Sequence, residues 1–277
     1  MNHSSRRHAA RGLRVAAALM LSTGALRAQS GTVVDYLPTG DYVLEVAGKE
    51  LPKAEIYQSN YASAFLIISS ELPAPVRLSP RTQTVETVNL MKVSKQSDGS
   101  ITMLPDSTLR PQGSFGLAND DVLFSVEGKA CKLKLRPALL GLHPSADLKA
   151  YKPEYLRNEA RYATDGATLQ TLKAKAPAVR VRIFFGSWCP HCTAFVPNIF
   201  KVEDGLQGSA IRFEYYGLPR EGMALEPEAK KVGVNAVPTG IVYDAAGKEL
   251  GRITGEDWRK PEDRLQALLI PAPKPAG

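Results

Sequence analysis

Cysteine is scarce in this chain, with three among 277 residues, too few for a disulfide-dense scaffold. Glycine and proline are modest too, at 22 and 20 residues, which excludes a collagenous or low-complexity chain. No apolar run approaches the roughly 20 residues that a membrane-spanning helix needs. Acidic residues are missing altogether from the first 28 positions, which hold Arg6, Arg7, Arg11, Arg14 and Arg27. That local absence accounts for most of the formal charge of +7. The remainder carries only +2 and has no Lys/Arg block, so nothing electrostatic favours nucleic acid as a partner. At 44% hydrophobic and 23% charged, the chain can bury a substantial core, and its length suits about two domains.

Residues 1–28 have the layout of a secretory signal peptide. A basic stretch from Arg6 to Arg14 precedes a short apolar run, Val15 to Leu26, with small residues and cleavage expected after Ala25 or Ala28. An uncleaved anchor and a mitochondrial transit peptide are the alternatives; the second fits the central apolar run less well. The expected location is extracytoplasmic, a bacterial periplasm or the secreted space, where disulfides form and persist.

Beyond the leader the periodicity changes once, near residue 150. Residues 29–148 read as strands and turns: Tyr42–Val46, Ala64–Ile68, Val85–Val93, Ile101–Met103, Asp121–Val126 and Cys131–Leu135. Six to eight short strands at this rhythm predict an all-β antiparallel sandwich or small barrel. VAGK (46–49) and VEGK (126–129) look alike, as either a weak repeat or common hairpin chemistry. Residues 149–270 alternate instead. Pro153 opens a helical stretch over 154–163, and a second helix covers 167–176. A strand at 179–185, a helix through 196–206 and a strand at 210–217 follow. A short helix near 226–232, strands at 241–243 and 250–254 and a helix at 261–270 complete an α/β layer, βαβ then ββα. Residues 271–277 are a Pro-rich tail.

The segment FFGSWCPHC (184–192) carries the chemistry. It sets Cys189 and Cys192 three apart where a buried strand gives way to a helix. The first thiol then sits at a helix N-terminus, where free N–H groups and the helix dipole favour a thiolate. The second lies one turn in, within reach of a mixed disulfide formed by the first. Pro190 suits the first helical position, and His191 can stabilise the Cys189 thiolate. A zinc site is the rival reading, but structural zinc wants four ligands, and beyond the leader only Cys131 and His143 join the pair and its enclosed His191 as Cys or His ligands. Cys131, in phase with Leu133 and Leu135, reads as a buried core thiol, and His143 as a loop residue at the domain boundary.

With WCPHC (188–192), Val237-Pro238-Thr239 and the hairpin turn at 244–248, the chain resembles the thioredoxin superfamily over roughly residues 166–270. The resemblance implies an α/β thioredoxin-like domain after the all-β one, and a thiol–disulfide oxidoreductase. It also implies that Pro238 is cis and that Trp188, Val237 and Pro238 line a groove for protein thiols and disulfides. No dissociable cofactor or metal is implied, since the Cys189–Cys192 disulfide is itself the redox group. CPHC is shared with strongly oxidising DsbA-like proteins, whereas the 46 residues from Cys192 to Pro238 leave no room for their helical insertion. Where thioredoxins carry a buried acid stands Ile183; Glu214 on the next strand is the substitute on offer, or a solvated charge. The expectation is an exported enzyme acting as oxidant or isomerase. The rivals are a reductase fed by a membrane redox partner and a low-turnover peptide-binding or chaperone module. The order of β-rich segment, helix and thioredoxin-like segment is compatible with pairing of two chains, or with a passive presenting role for the first half.

Overall fold

The computed structural model describes residues 33–104 and 107–270. The expected signal peptide and Pro-rich tail lie outside the described residues. Short alternating runs in the first half form β1 (Val34–Pro38), β2 (Tyr42–Val46), β3 (Lys49–Leu51), β4 (Glu55–Ser59), β5 (Ala64–Ile68) and β6 (Val76–Ser79). They continue as β7 (Thr84–Val88), β8 (Val93–Lys95), β9 (Ile101–Met103), β10 (Leu109–Ser114), β11 (Gly116–Ala118), β12 (Asp121–Val126) and β13 (Lys129–Leu135). That makes thirteen strands among the described residues of this half, against the six to eight expected. Several have only three residues, too short for alternation to show. The run Val85–Val93 is not one strand, because the Asn89 side chain accepts a 3.0 Å hydrogen bond from the Met91 N–H and caps a 3-10 turn at Leu90–Lys92.

All pairings in this half are antiparallel, in an eight-stranded sheet ordered β10-β7-β6-β5-β4-β1-β9-β8 and a five-stranded sheet ordered β11-β12-β13-β2-β3. The pleat sends neighbours to opposite sides. Ile56 and Ile67 join Leu44, Phe124 and Leu133 in a core between the sheets, while Tyr57 and Leu66 join Tyr36, Val88 and Ile101 on the other face. Val88 on β7 reaches Ile101 on β9 only because the long sheet curls, so the all-β half combines a sandwich with a half-barrel. Ala47-Gly48 and Glu127-Gly128 have positive φ at both positions, the geometry of two-residue hairpin turns, so the VAGK and VEGK likeness is turn chemistry.

The second half inserts α1 (Ser145–Tyr151), α2 (Pro153–Arg161) and α3 (Gly166–Lys175) between the first strand of a five-stranded sheet and the other four. The sheet contains β14 (Gly141–His143), β15 (Val179–Phe185), β16 (Ile211–Gly217), β17 (Thr239–Asp244) and β18 (Glu249–Ile253), in the order β14-β16-β15-β17-β18. Only β15 and β16 run parallel, and α4 (Pro190–Gly205) is their crossover. The short α5 (Pro227–Lys231) and the terminal α6 (Pro261–Leu269) complete the layer. His143 is not a loop residue: it pairs with Tyr215 at the sheet edge. Val179, Val181, Ile183 and Phe185 turn one face of β15 to Val196, Ile199 and Phe200 of α4. None of the helices among the described residues is long and apolar enough to cross a membrane.

The chain leading into β14 presses on Gly217, where an added Cβ would stand 1.9 Å from the Leu139 carbonyl oxygen. Backbone cannot swing aside as a side chain can. Gly217→Ala is therefore expected to cost about 1–3 kcal/mol. Gly166→Ala, at an open position on the first turn of α3, should cost nothing measurable or slightly stabilise. Urea midpoints of the two variants check this; equal midpoints would contradict the close approach.

Candidate functional site

The site is built where β15 ends. After Phe185 the chain turns through Gly186, whose carbonyl accepts the Cys189 N–H at 2.9 Å. Gly186 is required there because an added Cβ would lie 2.6 Å from the Trp188 ring. Ser187 is buried and its hydroxyl accepts the Leu139 N–H at 2.9 Å. Trp188 is half-buried and donates from Nε1 to the Leu218 carbonyl at 2.9 Å. The Arg220 guanidinium lies 5.8 Å over its ring.

Cys189 is the N-cap of α4 and Pro190 its first residue, so the missing proline N–H removes no helical bond. The helix begins at Pro190, earlier than the apolar pattern over 196–206 indicates, since its first turn carries the site rather than core residues. The Cys189 carbonyl is held twice by Thr193, from its N–H at 3.0 Å and its hydroxyl at 3.2 Å. Cys192 is fully buried, and Cys189 nearly so, at 7% exposure. All three cysteines are free thiols here. Cys131 lies apart, in the core between the β sheets, where burial raises its pKa.

The two sulfurs of the pair sit in opposite conditions. A hydrogen bond from Cys192 lowers the Cys189 pKa to about 6, aided by the N–H groups of Cys192 and His191 and by the imidazole charge, against the effect of burial. Cys192 is pushed well up, first by burial and then by its hydrogen bond to Cys189 and the charge there. The Gly186 N–H, 3.4 Å from Cys192 Sγ, and the Lys152 cation act in the other direction. His191 is exposed and stacks on Phe195 with ring centroids 6.4 Å apart.

Opposite the pair, the Val237–Pro238 bond is cis, and the Val237 carbonyl oxygen lies 3.7 Å from Cys189 Sγ. This loop is tied to α4 through Trp258, which donates from Nε1 to the Pro238 carbonyl at 3.0 Å and accepts on its own carbonyl from Asn198 at 2.8 Å. Of the expected site residues, Val237 thus faces Cys189 across the site with Pro238 next to it in the cis bond, while Trp188, Pro190 and His191 flank Cys189 along the chain. Glu214 is elsewhere: on β16 it shares the sheet face of Arg182, with which it pairs, and accepts from Arg180 at 2.9 Å. Ile183, on the face toward α4, is fully buried. Glu214 therefore cannot serve Cys192 in place of an acid.

Sequence reasoning missed what approaches from α2. Lys152, Tyr155 and Asn158 are spaced by three and lie on one helix face. Asn158 donates to the Thr193 carbonyl at 2.9 Å, and Lys152 Nζ is 3.5 Å from the Thr193 hydroxyl. Tyr155 is fully buried, its pKa raised first by burial and then by the charges of Cys192 and Cys189. Asp41, from the all-β half, pairs with Lys152. A cleft of about 450 Å³ opens here, with Asp41, Tyr42, Arg136, Trp188, Pro190 and Arg220 among its walls. The only signal in the sequence was the three-residue spacing, which core packing explains equally well.

Residues 167–269 match a family model described as a thioredoxin-like domain. Two solved structures show a limited likeness. One is a protein of unknown function from Pseudomonas aeruginosa, 15% identical with a TM-score of 0.35, the match covering 46% of this chain and 86% of that one. The other is an HIV epitope scaffold, 17% identical with a TM-score of 0.32, covering 43% and 68%. No curated protein matches the sequence. The family match, on the segment that carries the WCPHC turn and the cis Val237–Pro238 bond, assigns residues 167–269 to the thioredoxin superfamily as a thioredoxin-like domain.

Proposed function

We propose that this chain is an exported thiol–disulfide oxidoreductase that exchanges disulfides with protein substrates through Cys189 and Cys192. The observation that carries the reading is the contrast within one helical turn, an acidic sulfur at the N-cap and a buried, reluctant one behind it. In the reducing direction the Cys189 thiolate attacks a substrate disulfide, forming one S–S bond while the substrate's other sulfur leaves and takes up a proton. Cys192 then loses its proton and attacks Cys189 Sγ, expelling the second substrate thiolate. Two electrons and two protons pass to the substrate, and the pair is left as a disulfide. Oxidation of a substrate dithiol is the same sequence reversed.

Stabilising the Cys189 thiolate stabilises the reduced pair and so raises the potential of the disulfide as an oxidant, which favours the oxidant or isomerase direction. A reductase fed by a membrane electron donor would use the same atoms. A peptide-binding or chaperone module would use the surface around Val237 with little turnover.

Alkylation of Cys189 in the reduced protein should follow a single titration with a midpoint near about 6, well below an ordinary thiol at roughly 8.5. Because that pKa is depressed on folding, its stabilisation of the reduced protein is fully present above about 8.5 and is lost as pH falls through about 6. The urea midpoint of the reduced protein should accordingly approach that of Cys189→Ser in acid. His191→Gly should raise the alkylation midpoint only part of the way to 8.5, since the hydrogen bond from Cys192 is the larger cause. A potential above about −200 mV against glutathione is expected, and one near thioredoxin's roughly −270 mV would establish the reductant direction.

The order of attack is separately testable. Cys192→Ser should accumulate mixed disulfides with partner proteins, because Cys189 can attack but nothing resolves the product. Cys189→Ser should trap none. Equal trapping by both variants would remove the assignment.

A further inference from the structure

The buried ammonium group of Lys152 is the feature that the thioredoxin-like domain does not explain. Lys152 lies outside residues 167–269, at the junction of α1 and α2, and its side chain is only 4% exposed. A buried cation is stable only with partners. Its Nζ has two: Asp41 of the all-β half, and the Thr193 hydroxyl, which itself donates to the Cys189 carbonyl. The contact is built rather than incidental. Next to Asp41, the Gly40 N–H donates to both oxygens of the buried Glu154 carboxylate at 3.1 and 3.0 Å. A Cβ on Gly40 would lie 2.9 Å from Lys152 Cγ and 3.0 Å from both Lys152 Cα and Pro153 Cδ.

We propose that the all-β half completes the redox site: Asp41 holds Lys152 over the first turn of α4, and this paired cation positions Thr193 and sets the electrostatic potential at Cys189 and Cys192. Asp41 and Lys152 are positioning residues, acting on the thiols through charge and through Thr193. The other charged and titratable groups around Lys152 and the thiols are Glu154 and Tyr155 of α2, His191 of α4, and Asp120, Arg136, Tyr151 and Arg220 of the cleft walls. Glu154 accepts the Gly40 N–H on both oxygens and keeps its charge, and the Tyr155 hydroxyl has no hydrogen-bond partner among the described residues; Asp41 is the carboxylate in ion-pair contact with Lys152. The inference rests on the reading of Cys189 and Cys192 as a redox pair.

The sign of the effect is fixed by charge. Removing Asp41 takes away the carboxylate in contact with the cation and favours thiolate; removing Lys152 takes away the positive charge and disfavours it. In the full-length chain, Asp41→Asn should lower the thiol titration midpoint and shift the equilibrium with glutathione about threefold to tenfold toward the reduced protein. Lys152→Met should move both readouts by a similar factor in the opposite direction, and Lys152→Arg should restore them. A role confined to packing would move the two variants the same way or leave the titration unchanged, and either result overturns the proposal. Asp41 is half-exposed, so Asp41→Asn remains a fair test even if Lys152→Met fails to fold. Insulin reduction by the wild type is read in parallel. Opposite shifts in a protein without turnover would refute the oxidoreductase reading and leave the coupling standing; turnover without opposite shifts would do the reverse.

Discussion

Everything in this site depends on holding two identical side chains three residues apart in opposite environments. A strand-to-helix junction does this with few parts. The N-cap position gives Cys189 the unpaired N–H groups of the first turn, while helical periodicity turns Cys192 into the layer between α4 and the sheet. The asymmetry feeds itself, because the more buried thiol keeps its proton and donates it toward the less buried sulfur. Gly186 is part of the same constraint. Its N–H reaches Cys192, its carbonyl takes the Cys189 N–H, and its missing side chain leaves room for Trp188.

That junction must be kept from drifting, and the grip comes from two sides. Trp258 and Asn198 bind the cis-proline loop to the body of α4. From the opposite side, Asn158 and Lys152 hold Thr193, and the turn at Gly40 and Asp41 holds Lys152 and Glu154. Burying a carboxylate and an ammonium at this seam is costly unless both are satisfied, so separating the two halves would leave Glu154 without its Gly40 N–H and Lys152 without Asp41.

The thioredoxin-like half was legible because its signals are local. A buried strand, a helix start and two cysteines at fixed spacing occupy a dozen residues, and Val237-Pro238-Thr239 is a short motif. The hairpin at Asp244–Lys248 follows from an Asp side chain that accepts the Ala246 and Lys248 N–H groups at 2.9 Å. Ile101–Met103 apart, the strands of three residues escaped, as did the break at Asn89, because alternation needs length to be recognised. His143 failed for another reason: its strand exists only through pairing with Tyr215, more than 70 residues away. The Asp41–Lys152 and Gly40–Glu154 contacts span more than 110 residues, and no periodicity encodes them. Glu214 was the adjacent-strand acid that sequence offered, and a single step of the pleat places it on the wrong face.

Without an acid beneath Cys192, its reactivity in the proposed exchange must be controlled otherwise, and the surroundings supply a means. Two of the causes that hold its proton are the hydrogen bond to Cys189 and the negative charge there. Both vanish once Cys189 is bonded to a substrate sulfur, because a disulfide sulfur bears no charge and accepts hydrogen bonds weakly. Burial then stands alone against the Gly186 N–H and the Lys152 cation, which favour the thiolate. The Cys192 pKa therefore falls at the step where Cys192 must attack and rises again when the reduced pair is restored. A permanent neighbouring carboxylate would act throughout the cycle; here the mixed disulfide itself releases the second thiol, aided by the Gly186 N–H and, to a smaller extent, by the Lys152 cation.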